Sequence, residues 1–341
     1  MPLRSSDTMR IDVSVDGVPM SGLIRATIST TNTFSADTYS LTFASNDIAF
    51  WSLAPSALVE VTAVIESGGG TDYQSLITGM ADTLHIDPVR GIVSVEGRDL
   101  SSSMIDAYRQ QDFVNQTASE IVTTIAGYHG LQPVVSSTIG NVGRYYSDGY
   151  TKLSMGQFAR LRSDWDLVVH LARQNDFDVF VRDRWLYFQP SGASDFAPIT
   201  VALQDLRSIR LERNLSLAGD TRTRVQSWNS QNMTAYSSDS SGGVLVSAEE
   251  TAATSVPFLF SGSNYTSQQV TQCAERYAAE LSRLGTVLVL DMPWDFAFQP
   301  RAMCLLLDTR SAFDTTYQID TVERHYSSTS GSSQIIRAVQ L

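Results

Sequence analysis

The sequence predicts a mainly β protein with an α+β section in the middle. Short runs that alternate between apolar and polar residues dominate both ends of the chain, whereas apolar residues with helical spacing are concentrated near its centre. The chain has 341 residues, 43% of them hydrophobic, which is enough for two or three domains with stable cores. We predict sections at 1–100, 101–192 and 193–341, with a helix over 266–284 inserted in the last one.

The first section, 1–100, is predicted to consist of strands. Residues 10–16 alternate with period two and run into an Asp-Gly turn, a pattern typical of a half-buried strand. Gly68-Gly69-Gly70 is interpreted as a hairpin tip and not as a phosphate loop, because neither a lysine nor a helix start follows it. Six or so strands without a convincing helix indicate a small barrel or sandwich. The other predicted strands cover 26–30, 39–43, 59–65, 74–77 and 92–97.

The middle section, 101–192, contains two helix starts. Thr117 with Glu120 and Ser163 with Asp166 have capping-box spacing, in which two side chains satisfy the first free backbone groups of a helix. Because short strands follow the second helix, we predict a compact α+β unit. The predicted inward faces comprise Ala118, Ile121, Val122, Ile125 and Ala126 on the first helix and Trp165, Val168, Val169 and Ala172 on the second; the strands are at 178–182 and 185–189.

The last section, 193–341, returns to strands and carries one long helix. Thr266 with Gln269 forms a third capping box, and the apolar stripe that follows is predicted to pack against a core. Ser237–Gly243 is rich in Ser and Gly and is predicted to be a mobile loop. The predicted inward stripe comprises Val270, Ala274, Tyr277, Ala278 and Leu281, and the predicted strands cover 208–211, 223–228, 287–290, 302–307, 317–322 and 334–339.

The charge balance argues against a nucleic-acid-binding protein. Asp and Glu number 36 against 24 Lys and Arg, a formal net charge of −12, and no basic cluster is present. No apolar run approaches the ~18 residues needed to span a bilayer, and the first residues lack the apolar core of a secretion signal. We therefore expect a cytoplasmic protein without stable membrane binding. Cys273 and Cys304 have neither disulfide-framework nor metal-site spacing and are predicted to be buried apolar residues.

Three residues around the second capping box could suggest a metal site. Asp166 and His170 are four residues apart and therefore share a helix face, where they could pair with each other. Asp164 is expected to point elsewhere, and no fourth ligand is near in the sequence. We interpret the acids as helix-capping residues and the Asp166–His170 combination as a surface pair.

The remaining residues do not predict catalysis. His129 is expected at a helix end and His85 and His325 in strands, and no Ser or Cys lies in a nucleophile-elbow context. The sequence leaves open a pair of carboxylates from distant segments, because a peptidoglycan hydrolase needs two acids ~5–9 Å apart. Glu249-Glu250 lies beside a polar loop and is interpreted as solvated charge. We predict no catalytic, cofactor-binding or metal-binding residue; a cell-wall-degrading enzyme and a carbohydrate-binding module are the alternatives.

The two β-rich ends share a weak internal repeat. A shift of 240 positions places His85 opposite His325 and Gly91 opposite Gly331, each pair within a strand–turn–strand stretch. Two identities in a short window are close to chance. If the repeat is real, the first and last sections are copies of one structural unit.

Several short motifs follow one another in the order typical of one protein family. A strand ends in Gly97-Arg98-Asp99, a helix start has the form Phe113-Val114-Asn115-Gln116-Thr117, and that helix closes on His129-Gly130-Leu131. The chain thereby resembles the tail hub proteins of contractile-tailed phages, the late control D family, which are similar to the N-terminal half of type VI secretion spike proteins. Stretches at 163–167, 185–188 and 313–326 also resemble the family, so the resemblance covers nearly the whole chain.

The resemblance implies a structural baseplate hub without enzymatic activity. The first and last sections would be tail-tube-like β-barrel domains flanking the smaller α+β domain, and three chains would form a homotrimer with a pseudo-sixfold ring. Such a ring would join a hexameric tail tube to a trimeric spike and line a DNA conduit whose acidic or neutral lumen lets DNA slide.

The same resemblance implies the partners and the location. The partners would be further copies of the chain, a tail tube or tube-initiator protein, the central spike protein, and baseplate wedge or tape-measure proteins, with passing DNA contacted only non-specifically. The protein would reside in the virion tail baseplate after assembly in the bacterial host cytoplasm. A hub of a type VI-like or gene-transfer apparatus is the alternative within the same structural class.

Overall fold

The computed structural model describes residues 8–32, 34–44, 50–51, 57–67, 70–155, 162–191, 197–215, 222–241, 244–245 and 257–340. Strands far outnumber helices in it, so the mainly β prediction is confirmed. Section 1–100 contains β1 (Thr8–Val15), β2 (Val18–Met20), β3 (Leu23–Thr31), β4 (Thr38–Ala44), β5 (Leu58–Ser67), β6 (Gly70–Asp87) and β7 (Ile92–Asp99).

Helices are concentrated in the middle section, which contains α1 (Ser102–Ile105), β8 (Asp112–Val114), α2 (Ala118–Tyr128), β9 (Gln132–Val135), β10 (Arg144–Ser147), β11 (Tyr150–Ser154), α3 (Asp164–Asn175), β12 (Phe177–Arg182) and β13 (Trp185–Pro190). The last section contains β14 (Ile199–Val201), a 3₁₀ turn (Leu203–Asp205), β15 (Ser208–Arg213), β16 (Arg222–Asn229), β17 (Thr234–Ser241), β18 (Val244–Leu245), β19 (Pro257–Ser263), α4 (Ser267–Arg283), β20 (Thr286–Met292), β21 (Met303–Leu306), β22 (Thr316–Ser327) and β23 (Gly331–Gln340).

Strands from both ends of the chain form one continuous sheet of 13 strands. Its order is β15-β20-β23-β22-β3-β4-β7-β6-β5-β1-β2, and β21 and β14 extend it beside β22. The sheet passes from the last section to the first at the β22–β3 pair. Because this path does not close on itself within the described residues, barrel closure stays a prediction, as do the section boundaries.

The long sheet contains the same five-stranded arrangement twice. The first unit has the order β3-β4-β7-β6-β5 and the second has the order β15-β20-β23-β22-β21. In both, the neighbours along the sheet are the first, second, fifth, fourth and third strands in chain order, and every neighbouring pair is antiparallel. A repeat is therefore present at the level of topology, but the predicted equivalence of His85 with His325 is wrong, because the bulges align His85 with Glu323.

Matching bulges fix the equivalence between the units residue by residue. In the first unit Asp82 is skipped between the pairs Ala81↔Gly97 and Thr83↔Glu96. In the second unit the skipped residue is also an aspartate, Asp320. It lies between the pairs Ile319↔Ala338 and Thr321↔Arg337, and beside each bulge the backbone makes the same 2.9 Å bond, Ala81 N to Ala57 O and Ile319 N to Ala302 O. Bulges of this kind bend a strand and pin its register.

Between the first and second strands of the second unit, the chain forms a separate layer. A four-stranded sheet, β18-β17-β16-β19, is covered by α4. The predicted capping box of Thr266 and Gln269 is present, and Val270, Ala274 and Ala278 are buried as expected. Tyr277 and Leu281 are only partly buried.

The predicted mobile loop at Ser237–Gly243 is wrong for residues 237–241, which end β17. Gly242 and Gly243 lie outside the described residues. The Arg224 guanidinium of β16 binds Asp239 across the strands, with Nε to Oδ1 at 2.7 Å, and Ser240 is fully buried. Cross-strand partners therefore outweigh a composition that favours loops.

The middle section packs its helices against two small sheets, β10-β11-β8 and β12-β13-β9. Both capping boxes are present: Thr117 Oγ1 accepts from Glu120 N at 3.3 Å, and Ser163 Oγ accepts from Asp166 N at 3.1 Å. The predicted strand pair is the β12–β13 hairpin. Every predicted inward-facing helix residue is buried except Val169, which is partly buried.

The other predicted strands are confirmed, most of them with longer bounds than the patterns indicated, whereas the strand predicted at 302–307 is the shorter β21. The β5–β6 hairpin pairs as far as Ser67↔Gly70, and Gly68 and Gly69 lie outside the described residues. Gly91 and Gly331 both adopt positive φ, 64° and 79°, at the ends of equivalent turns, which is why a residue without a side chain suits both places.

Candidate assembly interface

The two units meet where β3 pairs with β22. Seven antiparallel pairs run from Thr321↔Thr31 to Ser327↔Arg25. Side chain and loop bonds extend this contact: Thr30 Oγ1 donates to Val322 O at 3.2 Å, and Asn32 N donates to Asp320 O at 2.7 Å. We call this strand pair the internal junction.

The sequence of β3 suits a strand buried on one face between two others. Ile28 is fully buried and Ala26 nearly so, while the alternate residues Thr27 and Ser29 lie on the opposite, more polar face. β-Branched residues at these positions favour the extended backbone and pack well across a sheet. On β22, Val322, which pairs with Thr30, is also fully buried, so the internal junction borders the cores of both units.

Two strand edges that correspond to the internal junction have no partner among the described residues. β15 pairs only with β20, and residues 82–87 of β6 pair only with β7. β15 is the counterpart of β3, and the distal part of β6 is the counterpart of the β22 segment that β3 covers. Open edges present unpaired N–H and C=O groups and are the usual sites of strand addition.

A cavity of about 250 Å³ lies beside the internal junction, between the first unit and the β12–β13 hairpin. Its walls include Asp37, Arg182, Arg301 and Arg324. Arg324 is 5% exposed and donates from Nη2 to Phe298 O at 2.6 Å. Burial lowers the Arg324 pKa to about 10, which leaves the guanidinium charged at neutral pH.

The pKa values of Asp37, which lines the cavity, and of its neighbour Asp99 are shifted in the opposite sense. Burial raises the pKa of Asp37 to about 8, and the negative charge of Asp99 adds to this. The Thr31 N–H, which donates to Asp37 Oδ1 at 2.8 Å, opposes the shift. Burial also raises the pKa of Asp99 to about 6, against the hydrogen bonds it accepts from Ser101. At neutral pH Asp37 is therefore largely protonated, whereas Asp99 is largely ionised.

The residues that could have suggested a metal site are separated. Asp164 Oδ2 accepts from Arg109 Nε at 2.8 Å and lies 2.8 Å from His129 Nε2. Asp166 accepts from the Ser163 backbone N–H at 3.1 Å, as a capping residue should. No group of three or more His, Cys, Asp or Glu residues suited to a metal ion occurs in the part of the chain that is described.

The predicted surface pair of Asp166 and His170 is wrong. His170 Nε2 instead lies 3.0 Å from Gln174 Nε2, and burial, together with nearby Arg173, lowers its pKa to about 4. The imidazole is partly buried, whereas Asp166 turns back toward the N-cap residue Ser163. The contact of His129 with Asp164 was not predictable, because the two residues lie 35 positions apart on different helices.

The other predicted site residues are scattered. His85 lies in β6, and His325 lies in β22, 3.4 Å from Thr27 Oγ1, so both are in strands as predicted. Cys273 and Cys304 are buried and free, and burial raises the pKa of the Cys304 thiol to about 12. Glu249 and Glu250 lie outside the described residues. None of the described helices is long and apolar enough to cross a membrane.

Known proteins are similar to the chain in fold and not in sequence. No family model matches, and no curated protein matches by sequence. A tail protein from Neisseria meningitidis MC58 aligns with a TM-score of 0.71 at 13% identity, over 97% of this chain and 96% of that one. The chain has the fold of a phage tail protein.

Two further solved structures extend the likeness. The 43 kDa tail protein of prophage MuSo2 from Shewanella oneidensis aligns with a TM-score of 0.68 at 14% identity, over 98% of this chain and 97% of that one. A type VI secretion component from E. coli, described as similar to T4 tail proteins, aligns with a TM-score of 0.59 at 10% identity, over 96% and 76%. The expected baseplate hub-like fold is therefore confirmed.

Proposed function

We propose that the protein is the structural hub of a phage tail baseplate, where three copies form a pseudo-sixfold ring between a hexameric tail tube and a trimeric spike. One observation carries the proposal: each chain holds two topologically identical five-stranded units, joined side by side in one sheet. Three chains then present six similar units. A homotrimer of single units would offer only threefold-related contacts.

The repeat gives this ring two kinds of face. The hexameric neighbour, a tail tube or tube-initiator protein, meets six equivalent units. Features present once per chain, such as the α4 layer and the middle section, repeat only three times and suit a spike, wedge or tape-measure partner. On this proposal the protein resides in the virion baseplate.

The proposed conduit lies on the polar side of the long sheet. Thr27 and Ser29 of β3 and Ser40 and Thr42 of β4 alternate with the buried residues and share this side. Hydroxyl groups and acids such as Glu96 share this side with arginines such as Arg25 and Arg210, so its charge is mixed, and we expect passing DNA to be contacted only non-specifically. Duplex DNA is expected to elute separately from the purified ring at physiological salt.

The test of the hub is its symmetry. Native mass spectrometry of the purified chain should give a trimer, and averaged electron micrographs should show a ring with six similar lobes around a threefold axis. A stable dimer, or a ring of any other order, would rule out the proposed hub.

We also propose that the protein has no catalytic role, in keeping with its likeness to structural tail proteins. A zymogram on purified murein should show no clearing. A lytic zone that disappears when one carboxylate is replaced would favour the cell-wall-degrading alternative.

A further inference from the structure

The internal junction provides a template for the contact between copies. We propose that β15 of one copy pairs antiparallel with residues 82–87 of β6 in a second copy, in the register that β3 and β22 have within the chain. The inference rests on the proposed ring and specifies which edges close it. It does not follow from the likeness to other tail proteins, which shows the fold alone.

The register follows from the bulges on β6 and β22. Aligning Asp82 with Asp320 places Leu84 on Val322 and Ile86 on Arg324. This alignment also superposes the third strands, since the first residue of β5, Leu58, faces Met80 and the first residue of β21, Met303, faces Gln318. Met80 and Gln318 are separated by the same number of positions as Asp82 and Asp320, so one alignment of β6 with β22 matches both the bulges and the starts of the third strands.

The equivalence of β3 and β15 follows through the neighbouring strands. Gly97, the counterpart of Ala338, faces Tyr39 of β4, and Tyr39 faces Ile28 of β3. Ala338 faces Leu288 of β20, and Leu288 faces Leu211 of β15. Leu211 therefore occupies the place of Ile28, and by the same steps Ile209 occupies the place of Ala26.

Substituting these counterparts into the internal junction gives the pairs between copies. The pair Arg324↔Ile28 becomes Ile86↔Leu211 on the core side. The pairs Glu323↔Ser29 and His325↔Thr27 become His85↔Glu212 and Asp87↔Arg210 on the polar side. Neither polar pair brings like charges together. The alignment rests on bulges and strand pairing and does not use charge, so this agreement is independent of it.

Burial differs between the internal junction and the open edges as the proposal requires. Ile28 and Val322, which the junction covers, are fully buried. Their counterparts Leu211 and Leu84 pack against the same cores but remain partly exposed. Pairing would remove this apolar surface from water, worth about 25 cal/mol per Å², and would satisfy the open backbone groups.

The charges on the two edges complement each other. In the free chain Arg210 Nε lies 2.9 Å from Glu212 Oε1 on its own strand, and Asp87 Oδ2 lies 3.7 Å from Arg90 Nε. Both are exposed pairs of small energetic value, about 0–1 kcal/mol. Their partners can therefore be exchanged for cross-strand partners at little cost.

The proposed contact is head-to-tail, since the second unit of one copy follows the first unit of another. A contact of this type closes into a ring when the rotation it repeats is a fraction of a full turn. Because the contact between copies has the geometry of the contact within a copy, first and second units alternate around one circle.

Disulfide trapping tests the register directly. Directly opposed residues on antiparallel strands have Cα atoms about 4.5–5.5 Å apart, within disulfide reach, whereas diagonal neighbours are too distant. The variant His85→Cys/Glu212→Cys should give covalent trimers on a non-reducing gel after mild oxidation. His85→Cys/Arg210→Cys, displaced by two residues on the same face, should not. Ser29→Cys/Glu323→Cys provides the matched control, an intrachain link without a change in mass.

The outcomes separate the register from the ring. Suppose that the wild-type protein is a threefold ring. The proposed register is then overturned, while the hub survives, if only His85→Cys/Arg210→Cys forms a disulfide between copies, or if neither variant with His85→Cys does. If the wild-type protein forms no threefold ring, the hub itself fails. Should His85→Cys/Glu212→Cys melt at a lower temperature than wild type, Ile86→Cys/Leu211→Cys tests the same register from the core side. Failure of both pairs to link counts against it.

Discussion

The first and second five-stranded units share their topology and one equivalent bulge but differ in the side chains that fill equivalent positions. At one equivalent cross-strand pair the first unit combines Tyr39 with Gly97, and the second combines Leu288 with Ala338. The first unit thus pairs a large side chain with a glycine, whereas the second pairs leucine with alanine, so the summed side-chain volume of the pair is similar in the two units. Topology has thus been conserved within the chain while side-chain packing has diverged, which is how cores tolerate change.

The units also differ in what interrupts them. A turn joins β3 to β4 in the first unit, whereas the α4 layer separates β15 from β20 in the second. In the second unit the insertion stands where the first unit has this turn. It leaves the five-stranded sheet intact, because β15 ends and β20 begins at the same edge of the sheet. The α4 layer occurs once in each chain, that is, once for every two units. A ring of three chains would therefore carry six similar units but only three α4 layers.

The largest expected effect comes from charging the buried side of the α4 layer. Ala274 is fully buried, and Thr223 Oγ1 donates to its carbonyl at 2.9 Å. Ala274→Asp would bury an unpaired carboxylate, at a cost of about 3–5 kcal/mol. We expect loss of amide protection in β16 and β17 by hydrogen exchange, while β22 and β23 stay protected.

Gln272→Asp, on the exposed face of the same helix, is the control and should keep wild-type protection. Simultaneous loss of protection in both sheets would mean that the layer is not independent of the second unit.

The next effect tests the divergent packing of the two units. A side chain at Gly97 would collide with the Met80 carbonyl oxygen and the Tyr39 hydroxyl. Gly97→Ala should therefore lower the free energy of unfolding by about 3 kcal/mol or more, whereas the reverse change at the equivalent site, Ala338→Gly, should cost about 1 kcal/mol. Urea unfolding of the purified chain measures both.

Adding Tyr39→Leu to Gly97→Ala copies the second unit's pair into the first. It should recover part of the lost stability, because the ring contact disappears while the carbonyl contact remains. No recovery would show that the tyrosine is not the compensating residue.

The internal junction and the open edge can be compared with one substitution at equivalent sites. Ile28→Ala removes fully buried methyl groups and should lower the stability of the single chain by about 2–4 kcal/mol. Leu211→Ala, at the partly exposed counterpart, should cost only about 1 kcal/mol in the single chain. In the assembled protein the second cost should grow toward the first, and dilution experiments followed by native mass spectrometry would show it as weaker association.

Short-range features of this fold were predictable, and long-range pairing was not. The capping boxes of Thr117 and Ser163 and the β12–β13 hairpin depend on residues a few positions apart, and all three are present. The internal junction joins strands nearly 300 positions apart, and period-two patterns do not specify a partner. The shift of 240 positions hinted at the duplication but missed its register on β6 and β22 by two residues, because the bulges align His85 with Glu323 and not with His325.

Two errors have the same physical origin. The pattern placed Ser237 in a loop and His170 on the surface from local composition alone. In the fold Ser237 lies in β17 and pairs with Gln226 of β16, and His170 of α3 is partly buried, with its pKa lowered by burial. The absence of a sequence signal for the His129–Asp164 contact is a third example, because that contact depends on how α2 and α3 cross.

The smallest expected effect separates the two bulge aspartates. Asp82 makes a bidentate pair with Arg98, with Nε–Oδ2 at 2.7 Å and Nη2–Oδ1 at 2.8 Å, whereas Asp320 lies 3.9 Å from Arg337. Asp82→Asn should therefore lower stability by about 0.5–1 kcal/mol. Asp320 behaves differently, because burial raises its pKa above the usual value despite the nearby arginine.

A carboxyl group whose pKa is raised by folding stabilises the folded state fully only below its unfolded pKa. This contribution is lost as the pH rises through the folded pKa. Asp320→Asn removes the loss, so the variant should gain on wild type as the pH rises above about 4, by less than about 1 kcal/mol. Thermal melting of both variants at several pH values measures the difference. If Asp320→Asn instead loses stability relative to wild type with rising pH, the second bulge is held by the ion pair of Asp320 with Arg337 after all.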